Sequence, residues 1–209
     1  MDTRPTEEKS RMEEHRDDTG SRLGMWLFVL SELLLFGGMF ILYAVHRYKA
    51  PGEFHHGSME LEPLLGTLNT VILLTSSLTV ALSIDAVKKG RHKSSVVLLI
   101  ATVALGVLFL GNKGLEWGTK IGNGVYPNSP VLLSRPKGEI LFFGLYYVTT
   151  GLHGLHVLAG VFLLLIMLIL LKSERIHQGH FVPFENAGLY WHLVDIVWIF
   201  LFPLFYLIA

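Results

Sequence analysis

The sequence predicts an all-α fold, a polytopic membrane bundle of five transmembrane helices with its N-terminus in the cytoplasm and its C-terminus in the periplasm. Three observations carry this. Of the 209 residues 51% are hydrophobic and 16% charged, and the charges crowd into the first 22 residues and four short loops. The five runs between those loops can each cross a hydrocarbon core of roughly 30 Å. With the N-terminal tail inside, the inner segments hold 11 of the 17 Lys and Arg residues and the outer ones 6, which sets the orientation.

The remaining composition excludes whole classes. The net charge is zero and no long basic face suggests nucleic acid. Cysteine is absent, so disulfides, covalent haem attachment, thiolate-bound copper and cysteine-held iron–sulfur centres are excluded. No cleavable signal peptide is visible ahead of the first apolar run, which is expected to act as its own insertion signal.

Residues 1–21 carry seven acidic and four basic side chains and form an acidic, polar, solvated tail; residues 22–209 form the five-helix domain. Span one covers 23–45. Gly24, Ser31 and Gly38 recur every seven residues as a stripe for close helix contact. Its single charge is Glu32, roughly 14 Å in from Leu23 at helical rise. The loop Ala50 to Gly66, with Pro51, His55, His56 and Pro63, is polar enough to sit in water.

Span two covers 68–87 and bears Asn69, Ser76, Thr79 and Ser83 along one stripe, which should hydrogen-bond to neighbouring helices. A tight basic turn follows, Lys88, Lys89, Arg91 and Lys93. Span three covers 95–117, and Lys113, Glu116 and Lys120 are spaced for salt-linked pairs at its end. The stretch Gly118 to Glu139, with three prolines, reads as a connection without a helix. Span four, 140–171, has no Lys, Arg, Asp or Glu and makes a helix of about 48 Å. A polar, His-bearing loop leads to span five, 187–209, where Pro203 is expected to kink the helix.

Few residues can carry chemistry. His153, His156, His192 and His46 are the candidate haem or metal ligands. Two histidines three apart on one face are too close for two haems, and span five offers only His192. Hydrogen bonding between helices is the competing role. Glu32 is costly as a lone acid in hydrocarbon, so it either handles protons and contacts lipid or hydrogen-bonds a neighbouring helix. His192 and Asp195 stand one turn apart and can pair, while Trp191, Asp195 and Trp198 share a face. These groups read as a buried anchor, since no nucleophile or metal set accompanies them.

Four segments together resemble one family: Ser31 to Phe36, Leu68 to Thr70, Thr150 to Val157, and Tyr190 to Trp198 are similar to the signature segments of subunit III of haem–copper oxidases. The resemblance runs from about Leu23 to the C-terminus. It implies a non-catalytic integral subunit without haem or copper of its own, those cofactors belonging to partner subunits. It further implies packing on catalytic subunit I, with subunit II in the same proton-translocating complex, in the bacterial inner membrane. In the family this subunit protects subunit I during turnover and supports proton uptake. Glu32 matches the family's carbodiimide-reactive membrane acid, and the segments holding His153, His156, His192 and Asp195 match positions that pack between helices or near bound phospholipid. Longer members have seven helices with a lipid cleft, and this chain aligns from their third helix onward. Two other readings stay open: an accessory subunit of a nitric oxide reductase with the same plan, and a small proton-coupled transporter using Glu32, His153 and His192. Neither the electron donor nor the gas reduced is readable from these residues.

Overall fold

The computed structural model describes residues 4–179 and 181–208, with 4–18 described by backbone alone. Seven helices follow in order: α1 Arg4–Lys49, α2 Pro51–Met59, α3 Pro63–Lys88, α4 His92–Gly122, α5 Pro130–Leu133, α6 Lys137–Lys172 and α7 Val182–Tyr206. Five of them, α1, α3, α4, α6 and α7, are long and apolar enough to cross a membrane. That architecture is a multi-pass membrane bundle.

Three differences from expectation concern the connections. The backbone is helical from Arg4, so the acidic segment continues into the first span; its side chains lie outside the described residues. The segment expected to lie in water after span one contains α2, whose Phe54 is fully buried between Tyr43 and Phe142. The connection expected to lack a helix contains the one-turn α5, capped by the Ser129 hydroxyl accepting from the Leu132 amide at 3.0 Å. A proline at the first helical position starts both short helices, Pro51 after Ala50 and Pro130 after Ser129, a signal too local for apolar periodicity to register.

The long helices stop for identifiable reasons. After α3, Gly90 takes φ +68°, and the Arg91 and Gly90 amides donate back to the Ala86 and Val87 carbonyls. The same double bond closes α4 at Gly124, φ +75°. Both glycines sit at the left-handed position that such a cap requires. α7 passes through Pro203 and ends three residues later, at Tyr206.

α3, α4, α6 and α7 close into a ring in which each helix packs on two others, and α1 lies against α6 and α7 from outside. Burial follows that plan: 56% of the most apolar part of α7 is buried, but only 11% of that of α1. The polar stripe of span two binds its neighbours as its spacing predicts. Asn112 donates to Asn69 at 3.0 Å, Thr79 and Thr102 share a bond of 2.8 Å, Ser83 meets Ser95 at 2.9 Å, and Trp191 Nε1 donates to Ser76 at 3.0 Å. Each is worth about 0.6 kcal/mol in lipid, so the set matters through its number and its fixing of register.

The glycine stripe of span one is a correction. A Cβ at Gly24 or Gly38 meets nothing within 4 Å, and the Ser31 hydroxyl bonds its own helix at the Phe28 carbonyl. The close approaches lie instead at Gly57, Gly66, Gly106, Gly160 and Gly188. Gly38→Ala should therefore leave the isolated bundle as stable or raise it by up to about 1 kcal/mol, since a helical glycine costs entropy and here makes no contact. Unfolding titrations in mixed micelles check this, and a loss of stability would restore the packing role.

Candidate functional site

Two polar centres stand out. The first lies in the groove between α1, α6 and α7. Glu32 of α1 brings Oε2 to 3.0 Å from His156 Nε2 of α6. The approach is off the hydrogen-bond line, so Oε2 has no aligned donor. His156 Nδ1 donates to the Leu152 carbonyl at 2.8 Å. With that proton on Nδ1, Nε2 of a neutral ring is a bare lone pair. Phe36 meets the imidazole edge-on at 5.4 Å, and the Tyr190 hydroxyl of α7 donates to the His156 carbonyl at 3.0 Å. A carboxyl and an imidazole thus face each other where three helices meet, and both are groups of a kind that can accept and return a proton.

His153, three residues earlier, points elsewhere. It is 1% exposed, with its ring 5.6 Å from Phe109 and 5.2 Å from Trp198, and neither nitrogen has a hydrogen-bond partner among the described residues. The interhelix hydrogen bond expected of it is replaced by ring packing. His192 bonds Ser77 of α3 at 2.6 Å rather than Asp195. Asp195 is buried with both carboxyl oxygens outside hydrogen-bonding geometry, beside Ser77, whose hydroxyl is already engaged. Trp191 and Trp198 share its face as expected and both are fully buried, the latter donating to Thr70 at 3.0 Å. His46 donates to its own helix at the Leu42 carbonyl, 2.8 Å away. The four membrane histidines thus face four different neighbourhoods, which does not fit a haem held between paired imidazoles.

The second centre is the one whose extent the sequence did not reveal. The i,i+3 pair Lys113 and Glu116 forms as spaced, at 2.9 Å, but it is buried. Two tyrosines from other helices complete it. Lys113 Nζ also donates to Tyr146 at 3.1 Å and Tyr206 at 2.8 Å, and both phenols donate to Glu116 Oε1 at 2.6 Å. The Lys113 cation stands over the rings of Tyr146, Trp198 and Tyr206 at 5.0–5.5 Å. Lys120 leaves this set and donates to the Glu60 carbonyl at 2.8 Å. A Lys–Glu pair near a span end was visible in the sequence; its burial was not, because both tyrosines come from helices far along the chain.

At the same end, His56, Glu60 and Glu139 bring three potential metal-ligand atoms within 4.8 Å of one another. Arg135 bonds both carboxylates, and His56 lies 3.0 Å from Glu139, so a guanidinium already occupies the cluster. Arg135 lies outside the spans, and the carboxylate of Glu60 raises its already high pKa further.

The profile of the cytochrome c oxidase subunit III family matches residues 8–209. Cytochrome c oxidase subunit 3 of Allomyces macrogynus is 35% identical over 191 residues, covering 88% of this chain and 64% of that protein. That of Thermostichus vulcanus is 35% identical over 192 residues, covering 90% of this chain and 87% of its own length. That of Arabidopsis thaliana is 34% identical over 194 residues, with 90% and 68% covered. The chain therefore spans less than two thirds of the fungal relative and most of the cyanobacterial one. With five long apolar helices and a match along nearly its whole length, the chain belongs to the cytochrome c oxidase subunit III family.

Proposed function

We propose that this chain is a non-catalytic subunit of a haem–copper terminal oxidase in a bacterial inner membrane, packed on subunit I with subunit II in the same complex. Haem and copper reside on those partners in this reading. One observation supports it above others: three of the four segments that resemble the family meet at a single place, through Glu32, His156 and Tyr190. An acid facing an imidazole in a membrane groove suits a subunit that steadies its partner and assists proton uptake. The same groove is the natural place for a phospholipid to lie.

The test is made in the complex. Glu32→Ala should leave haem content unchanged while shortening the lifetime of turnover and altering proton uptake. Unchanged lifetime and uptake would reduce Glu32 to a packing residue. The complex that co-purifies in mild detergent should consume oxygen; reduction of nitric oxide in its place would assign the chain to the reductase. For orientation, a reporter fused after Ala209 should be active only in the periplasm, and cytoplasmic activity would reverse the bundle.

A further inference from the structure

We propose that Tyr146 and Tyr206, together with Glu116, form a redox-active site that stores one oxidising equivalent, wired to the bundle end by Tyr147 and Trp117. The placement of oxidisable rings is the first ground. Tyr206 and Tyr146 have centroids 6.4 Å apart, Tyr146 and Tyr147 5.3 Å, and Tyr147 and Trp117 5.1 Å. Tyr146 is fully buried, whereas Trp117 is half-buried at the end of α4, lying over Gly151. Every neighbour along this series is a tyrosine or tryptophan, so no step crosses a ring that resists oxidation.

The second ground is where the protons can go. A phenol gives up an electron readily only if its proton leaves too. Tyr146 and Tyr206 each donate at 2.6 Å to the same carboxylate oxygen, a charge-assisted bond that provides a base in place. Tyr147 donates only to the Val125 carbonyl at 2.8 Å, a poor base, so it passes the charge on rather than holding it. A cleft of about 310 Å³ lined by Glu60, Glu62, Glu116 and Lys120 lies beside the acid and gives the proton a route to water. Its departure restores the Lys113–Glu116 pair.

The step balances. A one-electron oxidant takes an electron from Trp117, and Trp117 recovers one from Tyr146 across the Tyr147 ring, whose own proton stays in its bond to the Val125 carbonyl so that no charge rests there. As that electron leaves, the Tyr146 proton moves to Glu116 Oε1. The products are a reduced oxidant, a neutral Tyr146 radical and a protonated Glu116. Reduction of the radical by one electron and one proton returns the site to its starting state.

The experiment uses the full chain in lipid nanodiscs. Ruthenium tris-bipyridine with persulfate, both confined to water, generates the oxidant in a flash, and peptide mass mapping locates the products. Tyr146 and Tyr206 should be oxidised, whereas Tyr43, equally buried but separated from Tyr146 by Phe205, should not be. Trp117→Phe or Tyr147→Phe should lower oxidation at Tyr146 and Tyr206 to the level of Tyr43, leaving exposed Tyr48 unchanged. Glu116→Gln should abolish the same products by removing the proton acceptor. Oxidation of Tyr146 no greater than that of Tyr43 in the unaltered chain, or undiminished oxidation in both phenylalanine variants, overturns the proposal. Those variants keep a ring in place, so they decide the matter even where Glu116→Gln unfolds the bundle, which labelling at Tyr43 reports.

Discussion

Replacing Lys113 by Ala lowers the stability of the bundle by about 3–5 kcal/mol, the usual cost of stranding one member of a buried ion pair. Glu116 is 5% exposed and accepts from three groups, of which Lys113 supplies the only full positive charge. Truncation leaves both phenols in place but removes the countercharge from a carboxylate that water barely reaches. The Lys113 ammonium also spends all three of its protons on Glu116, Tyr146 and Tyr206, so two phenol oxygens lose a donor at the same time. The double variant Lys113→Met with Glu116→Leu should recover part of the loss, because an apolar pair of similar volume carries no charge to desolvate while the Tyr146 and Tyr206 hydroxyls keep only each other as partners. Denaturant or steric-trap unfolding of the two single variants and the double variant measures the coupling. A Lys113→Ala variant within about 1 kcal/mol of the parent would show that the carboxyl is neutral without its partner, and the ionic description would fail.

Trp191→Ala should cost a similar amount, about 3–5 kcal/mol, by a different route. Trp191 is fully buried, and its ring passes between two glycines of other helices. A Cβ built on Gly106 of α4 would lie 2.7 Å from the ring, and one on Gly160 of α6 2.8 Å from it. In lipid the gain from packing is not hydrophobic, since a chain in contact with lipid tails is already in oil. The loss on truncation is thus the cavity and its missing dispersion contacts, together with the bond from Nε1 to Ser76. Gly160→Val should be destabilising by itself by about 1–3 kcal/mol, through overpacking. In the Trp191→Ala background the added methyl groups fill vacated space, so the same change should become stabilising. Two additive losses would show that the ring is not held between these helices, and a Trp191→Ala variant of unchanged stability would remove the clamp altogether.

Much of the architecture was legible because hydrocarbon is a strict solvent. Each spanning segment must satisfy its own backbone hydrogen bonds, so it must be a helix, and its length follows from the bilayer. That is why the charge-free run 140–171 marks α6 to within a few residues at each end. The hydrogen-bonding stripe of span two was equally legible, since polar side chains in lipid have only other helices to turn to. The glycines of span one were misleading for a related reason. Small residues at heptad spacing permit close contact, but Gly24 and Gly38 are left facing open space in this bundle.

The candidate site divides the same way. Glu32 and His156 were each visible as isolated ionisable groups, and their residue types already called for a partner. That they meet one another, while His153 three residues away turns toward Phe109 and Trp198, depends on the angle at which α1 lies across α6 and α7. In a soluble helix an apolar stripe reveals the inward face; here lipid and core are both apolar, so that guide is weak. The number of spanning helices, and which polar residues must find company, are therefore written in the order of residues along the chain. Who keeps that company, including the tyrosines that close around Lys113 and Glu116, emerges in the packed bundle, because pairing across helices depends on rotation and crossing angle, which a uniformly oily surface does not encode.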